Sequence, residues 1–337
     1  MLIFRKVFFK MVKMHNGFLF ILSFLLIFIS TYLITKIEPE GFPHWFDGFW
    51  WVMTTVTTVG YGDYAPVTVE GRMLAIVLYI FGIGLIGVVI GKVIDGLSSF
   101  RKKREEGNIM FKGKNHYVII GWSHKAKYAL KEMMNTKKDS DIVIIDDRDH
   151  APVLTDQVHY VQGDATKVET LDKANIKEAK AVLMFADDSI ENPQLVDGKT
   201  LLVASTVEGM NPNVHTVVEV MEEDHIKNFK HIQVDDFIFS HETISSLAVR
   251  SVFTKGISGL YGQLMQRKHG DDLYYIPKKD HWYTYEDAFR ELLEVGATLI
   301  ADGDNLGINR ILKEKIRDDA KLFVICNNET YKRILST

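Results

Sequence analysis

Five consecutive residues carry the most specific chemistry in this 337-residue chain. Thr58-Val59-Gly60-Tyr61-Gly62 alternates glycine with larger residues, and Asp63 follows. Glycine reaches backbone conformations closed to other residues, so such alternation can aim a row of carbonyls at one axis. A tight surface turn would use the same residue types. A second candidate is the turn Gly121-Trp122-Ser123-His124-Lys125-Ala126, directly after the apolar run His116–Ile120. A phosphate-cradling turn would read Gly-x-Gly-x-x-Gly, and only its first glycine is present. Asp146 ends the next apolar run, where a ribose contact belongs, and Asp164 follows a third. Gly121, Asp146 and Asp164 thus form a candidate nucleotide site, with a purely structural lobe as the alternative. Carboxylates also cluster at Asp146 and Asp147, Asp187 and Asp188, Glu222 to Asp224, and Asp235 and Asp236. Ca²⁺ needs six to eight converging oxygens, which sequence neighbours seldom supply, so most of these are expected to be solvated loop ends.

The elements that must hold these residues belong to two physical environments. The overall composition, 47% hydrophobic and 25% charged, suggests a soluble protein, but the apolar residues are unevenly placed. The first 114 residues carry 13 Lys and Arg against 8 Asp and Glu, while the remainder carries 27 against 36. Gly17 to Thr35 and Met73 to Gly91 are uncharged over 19 residues each. At a helical rise of about 1.5 Å per residue, each can cross a hydrocarbon core of about 30 Å. No small-residue cleavage site follows the first, which argues against a signal peptide. Arg5, Lys6, Lys10 and Lys13 precede the first run and Arg101 to Arg104 follow the second, whereas the connector carries Glu38, Glu40, Asp47, Asp63 and Glu70. The positive-inside rule then puts both termini in the cytoplasm and the connector outside. Cys326 is the single cysteine, so a disulfide scaffold is excluded.

The connector is too apolar for an ordinary external loop. Trp45 to Thr57 can form a short aromatic helix after Pro43, and irregular backbone follows at Thr58 to Gly62. Such backbone at membrane depth is tolerated where it lines a water-filled path or is buried in protein. Here the chain resembles the two-transmembrane potassium channels, whose filter signature TVGYG is matched at Thr58, Val59, Gly60, Tyr61 and Gly62. The resemblance implies K⁺ held by the filter carbonyls and the threonine hydroxyl, and a homotetramer, since one loop cannot enclose an ion. It also implies that Trp50 and Trp51 pack around Tyr61, and it puts Gly82 where calcium-gated relatives have a gating hinge. The residues themselves leave a second reading of Gly82, close helix packing. No file of arginines lies in either run, so a voltage sensor is not expected.

Beyond the membrane part, apolar runs alternate with helical patterns: strands at His116–Ile120, 142–145, 158–161, 181–185 and 214–220, and helices at 124–134, 168–175 and 195–208. This is the pattern of βαβ units on a parallel sheet. A Rossmann lobe after a two-helix pore resembles the RCK domain, the regulator of potassium conductance, and HYVIIGWS and VQGDATKVETLDKANIKEAKAVL are similar to its sequences. The fold expected is therefore a membrane α-helical pore unit, a Rossmann-like α/β lobe and a small α+β lobe, similar to the calcium-gated archaeal channels. Expected segments are 1–16 cytoplasmic, 17–37 first span, 38–70 pore helix and filter, 71–98 second span, 99–114 linker, 115–240 Rossmann lobe, 241–268 helical crossover for lobe pairing, and 269–337 C-terminal lobe with strands near 298–301 and 322–326.

The resemblance also implies an octameric ring of RCK units, with soluble RCK chains starting at Met110 as one source of the extra copies. Its calcium site would need three carboxylates; this chain has Phe185, Glu219 and Met221 there, so Glu219 is the one candidate metal ligand. Regulatory Ca²⁺ and an adenine or nicotinamide nucleotide both stay open, with a slight lean to the cation because the degraded phosphate turn costs a nucleotide its main anchor. The resemblance also allows a cyclic dinucleotide between C-terminal lobes, which no motif here selects. The function expected is passive, ligand-gated K⁺ transport across the cell membrane, with lipid as a partner and neither nucleic acid nor catalysis involved. The competing readings are a membrane-anchored NAD(P)-dependent oxidoreductase, for which His124 is the one nearby acid–base candidate, and a nonconducting accessory membrane protein.

Overall fold

A computed structural model describes residues 16–137, 139–265 and 270–336. The basic residues Arg5, Lys6, Lys10 and Lys13 lie outside the described residues, as do residues 266–268 of the expected crossover. The chain divides into two units after Lys103.

The first unit holds helices α1 (Asn16–Ile37), α2 (Trp45–Val56) and most of α3 (Val69–Glu105). Both α1 and α3 are long and apolar enough to span a bilayer. Their outward residues, among them Phe24, Ile76 and Phe81, are exposed. Water would disfavour such a surface and lipid does not. Between the helices Ile27, Ile34, Phe42, Trp51, Val52, Val56, Ala75 and Leu78 form one core. The turn into α3 is held by Glu38, a buried carboxylate that accepts from the Val67 and Thr68 amides at 3.0 and 2.9 Å and from the Thr68 hydroxyl.

α3 does not stop at the expected linker boundary but runs on to Glu105. Lys, Arg and Glu are good helix formers, so leaving the apolar stretch need not end a helix. The residues that follow Lys103 belong to the second unit and are stitched into it. Glu105 O accepts from Ala151 N at 2.7 Å, Gly107 O from Gln162 N at 3.1 Å, and Phe111 N donates to Lys173 O at 2.8 Å. Nε2 of His159 lies 2.8 Å from Ile109 O, and the Phe111 ring packs edge-on against His116 at 4.6 Å.

The second unit opens with β1 (His116–Ile120), α4 (His124–Thr136), β2 (Ile142–Asp146), β3 (Val158–Gln162), α5 (Val168–Lys173), β4 (Ala179–Met184), α6 (Pro193–Met210), β5 (His215–Glu219) and β6 (Asp236–Ile238). All strand pairings in this sheet are parallel, in the order β3-β2-β1-β4-β5-β6. Near-continuous apolar strands such as Val118–Ile120 and Ile142–Ile145 are what a sheet covered on both faces requires. Val118, Val143, Val161 and Val182 face one core, and Ile119, Ile144 and Tyr160 the other. Ser123 caps α4 and Asn192 caps α6, where Pro193 occupies the first turn.

α7 (Ser240–Phe253) and α8 (Ile257–Met265) bury no residue. A three-stranded antiparallel sheet, β7 (Asp272–Ile276), β8 (Thr298–Asp302) and β9 (Leu322–Cys326), follows in the order β7-β9-β8. It packs with α9 (Tyr285–Glu294) and α10 (Asn328–Ser336) around Trp282, Leu292, Leu322 and Ile334.

Candidate functional site

The conformation at Thr58–Gly62 begins with how α2 ends. Thr57 N donates to Met53 O at 3.1 Å, and Thr58 N to Thr55 O at 3.0 Å. Val59 N and Gly60 N then both donate to the Thr54 carbonyl, at 2.9 and 3.1 Å. Backbone φ is positive at every second residue: 62° at Thr58, 55° at Gly60 and 76° at Gly62. The Thr58, Val59 and Gly60 amides are thus satisfied by α2, and among the described residues no backbone hydrogen bond ends on a carbonyl of Thr58–Gly62, so those carbonyls still need a partner. The five residues are exposed in the single chain, Tyr61 by 68%. Trp50 braces them: its ring lies parallel to that of Tyr61 at 5.8 Å, and its Nε1 donates to Asp63 Oδ2 at 2.8 Å. Trp51 is instead buried against Phe42, with ring centroids 5.6 Å apart.

Gly82 lies inside the unbroken α3 and is buried. A Cβ there would stand 2.7 Å from Val56 Cγ1 and 3.6 Å from Leu26 Cδ2. The missing side chain is what lets α3 meet the end of α2.

In the second unit a crevice of about 940 Å³ opens beyond the C-terminal ends of β1, β2 and β4. It sits where the strand order reverses between β1 and β4, the usual ligand position in such sheets. Gly121, Asp146 and Asp164 all line it; Glu219 does not. Gly121 has φ 86°, and a Cβ would approach Phe185 O to 3.3 Å. Asp146 accepts from Trp122 N at 2.7 Å and from Arg148 N at 3.2 Å. Burial nevertheless raises its pKa, outweighing those bonds and the nearby Arg148 charge. Hydrogen bonds from the Thr166 amide and hydroxyl lower the Asp164 pKa.

The fit to a dinucleotide is partial. The Trp122 amide is given to Asp146 and the Ala126 amide to the Ser123 hydroxyl, so two donors of a phosphate turn are already engaged. Side-chain cations are present at Lys127, Arg148 and Lys199, among the lining aspartates Asp146, Asp147, Asp164, Asp187 and Asp188. Sequence reasoning did not find these three, because only the fold brings them near Gly121. Lys199 is held 2.6 Å from Asp187. Burial alone would raise the Asp187 pKa, but hydrogen bonds from Lys199 and Ser189 outweigh it and set it at about 2.

Glu219, at the end of β5, has both oxygens 2.9 Å from the Lys125 ammonium. It also accepts from Ala186 N at 2.9 Å and from the Ser240 hydroxyl. Among the described residues no group of three or more His, Cys, Asp or Glu side chains converges as a metal site. Met221 and Phe185 offer no carboxylate, and Glu219 already has its cation, so these residues do not fit Ca²⁺.

Comparison with known proteins matches residues 18–99 to the ion channel family model and residues 117–240 to that of the TrkA-N domain. The putative potassium channel protein YugO of Bacillus subtilis is 31% identical over 220 residues, 65% of this chain and 67% of the relative. The calcium-gated potassium channel TvoK of Thermoplasma volcanium is 30% identical over 247 residues, 71% of this chain and 70% of that one. The chain belongs to the two-transmembrane potassium channels with an RCK domain. Membership in this channel family makes K⁺ conduction its activity and the Rossmann lobe its regulatory domain, so the oxidoreductase reading is not favoured. The human SLO3 gating ring shares the fold at a TM-score of 0.51 and 14% identity, over 65% of this chain and 46% of that one.

Proposed function

We propose that four copies of the chain enclose one K⁺-selective pore whose filter is Thr58, Val59, Gly60, Tyr61 and Gly62. One observation carries this reading: φ is positive at every second residue from Thr58 to Gly62, and among the described residues no backbone hydrogen bond ends on a carbonyl of that segment, which leaves those oxygens to replace an ion's hydration shell. The exposure of those residues in a single chain supports a tetramer, in which neighbouring loops complete the ring. The cations at Arg101 to Arg104 support cytoplasmic termini and a cytoplasmic lobe. RCK lobes pair through α7 and α8, whose Ile244, Val252, Phe253 and Leu260 are exposed apolar residues in want of a partner. The ring contains eight lobes, with soluble chains from Met110 as one source of the additional four. The pore unit (17–98) and the lobes (115–240 and 269–337) act as separate modules joined by the stitched segment after α3.

The regulatory ligand in this proposal is an adenine or nicotinamide nucleotide in the crevice at Gly121, Asp146 and Asp164. The crevice volume and its position beyond the ends of β1, β2 and β4 support a nucleotide, with Lys127, Arg148 and Lys199 as side-chain cations set among five aspartates, Arg148 paired with Asp146 and Lys199 with Asp187. The test is purified protein in K⁺-loaded liposomes, assayed against nucleotides, Ca²⁺ and pH. K⁺ flux exceeding Na⁺ flux and altered by a nucleotide is expected. Equal permeation of K⁺ and Na⁺ would remove the filter assignment, and indifference to every nucleotide would remove the crevice as the regulatory site.

A further inference from the structure

A buried carboxylate is strongly unfavourable unless it is paired and hydrogen-bonded, and Glu219 is 1% exposed. Its cation comes from the chain itself. The Lys125 ammonium touches both Glu219 oxygens at 2.9 Å and Asp188 Oδ1 at 2.8 Å. Glu219 in turn takes the Ala186 amide and the hydroxyl of Ser240, the first residue of α7. One positive charge therefore ties the first turn of α4, the loop after β4, the end of β5 and the start of α7. A bound metal ion would join elements in the same manner, but Ca²⁺ would require more oxygens than Glu219, Asp188 and Ser240 supply.

We propose that Lys125 is a built-in cation: it stands at the β4–β5 edge in place of a regulatory divalent ion, and it fixes the start of α7 whatever the solution Ca²⁺ concentration. Burial lowers the Lys125 pKa, but the hydrogen bonds to Asp188 and Glu219 outweigh this and raise it. The ammonium therefore stays charged across the neutral range, so the tie is permanent. Its bearing on gating rests on the reading of α7 and α8 as the pairing helices. The tie itself does not, and it is tested without measuring flux.

The experiment is thermal melting of the full-length channel in detergent, with and without CaCl₂, for the parent, Lys125→Met, Glu219→Gln and the double variant. Each single substitution should lower Tm, Lys125→Met the more because it leaves a buried carboxylate unpaired. The double variant should melt well above the sum of the two losses, the signature of a coupled pair. CaCl₂ should give the parent no rise in Tm that Glu219→Gln removes. Should Lys125→Met fail to assemble, Ser240→Ala takes its place, its loss of Tm vanishing in the Glu219→Gln background. Additive losses, or a Ca²⁺-dependent rise in the parent that Glu219→Gln abolishes, would overturn the proposal. Either result leaves the K⁺-channel reading intact, because that reading stands on permeation.

Discussion

Thr58 holds a β-branched side chain at φ 62°, a conformation that costs about 1–3 kcal/mol and persists where its surroundings over-determine it. Gly60 and Gly62 take the same region without that cost. Gly60→Ala should therefore penalise the filter by about 1–2 kcal/mol in each subunit. No atom stands within 4 Å of that new Cβ in the single chain, so the penalty is one of backbone conformation. Loss of K⁺ conduction or of preference over Na⁺ is expected, and unchanged permeability ratios in bilayer recordings would remove Gly60 from the filter. Gly82 poses a different problem, since its substituent would collide with Val56 Cγ1 at 2.7 Å. Overpacking of this kind costs about 1–3 kcal/mol. Gly82→Ala should thus alter open probability and leave selectivity alone, and Val56→Ala in the same chain should restore the parent value. A gating defect that survives Val56→Ala would favour the hinge reading instead.

At the scale of elements, the segment between α3 and β1 is held by two histidines in apolar surroundings. His116 is fully buried; its Nε2 lies 3.0 Å from the Ala174 carbonyl, which makes Nε2 the protonated nitrogen. Its Nδ1 has no hydrogen-bond partner among the described residues. Burial lowers the His116 pKa below 6.5, against smaller opposing effects of the Ala174 bond and of Asp141, with His159 adding to the depression. The unfolded chain therefore binds this proton more tightly than the folded one. Stability should be constant above pH 6.5 and should fall as the pH drops through that value towards the folded pKa. His116→Gln should flatten that slope in pH-dependent melting of the full chain; an unchanged slope would assign the titration elsewhere. The elements themselves were legible to different degrees. The parallel strands announce themselves as apolar runs, and α1 and α3 as uncharged stretches of spanning length. α3 continues past the expected span because a membrane boundary shows in hydropathy and a helix end does not. β6 has three residues, too few for a period to show, and β7, α9 and α10 carry only short amphipathic patterns. The partner of Glu219 was beyond reach, since Lys125 is 94 residues away in the chain and meets it only across the edge of a folded sheet.

For the whole molecule as proposed, a ligand can open the pore only by binding the open arrangement of the lobes more tightly than the closed one. Typical allosteric couplings are about 1–3 kcal/mol, a factor of roughly 5 to 150 in affinity. In the proposed ring, lobes that move together would add their differential affinities. The crevice suits that role through Asp146, whose carboxylate joins the β1–α4 turn to the β2 terminus by its bonds to Trp122 and Arg148. A nucleotide that takes over the Trp122 amide or the Arg148 guanidinium must rearrange this pair, and so has a reason to prefer one arrangement of the lobe. Asp146→Ala frees the Trp122 amide and removes the carboxylate that holds the Arg148 amide and guanidinium, leaving Arg148 its bond to the Trp122 carbonyl at 2.9 Å. The variant should still conduct K⁺ with parental selectivity, because Thr58–Gly62 belong to the other unit, but its open probability should no longer follow nucleotide concentration. Single-channel recording across a nucleotide series reads both quantities at once. A dose–response curve that coincides with the parent's would exclude Asp146 as the coupling residue and direct attention to the β7–β9 lobe.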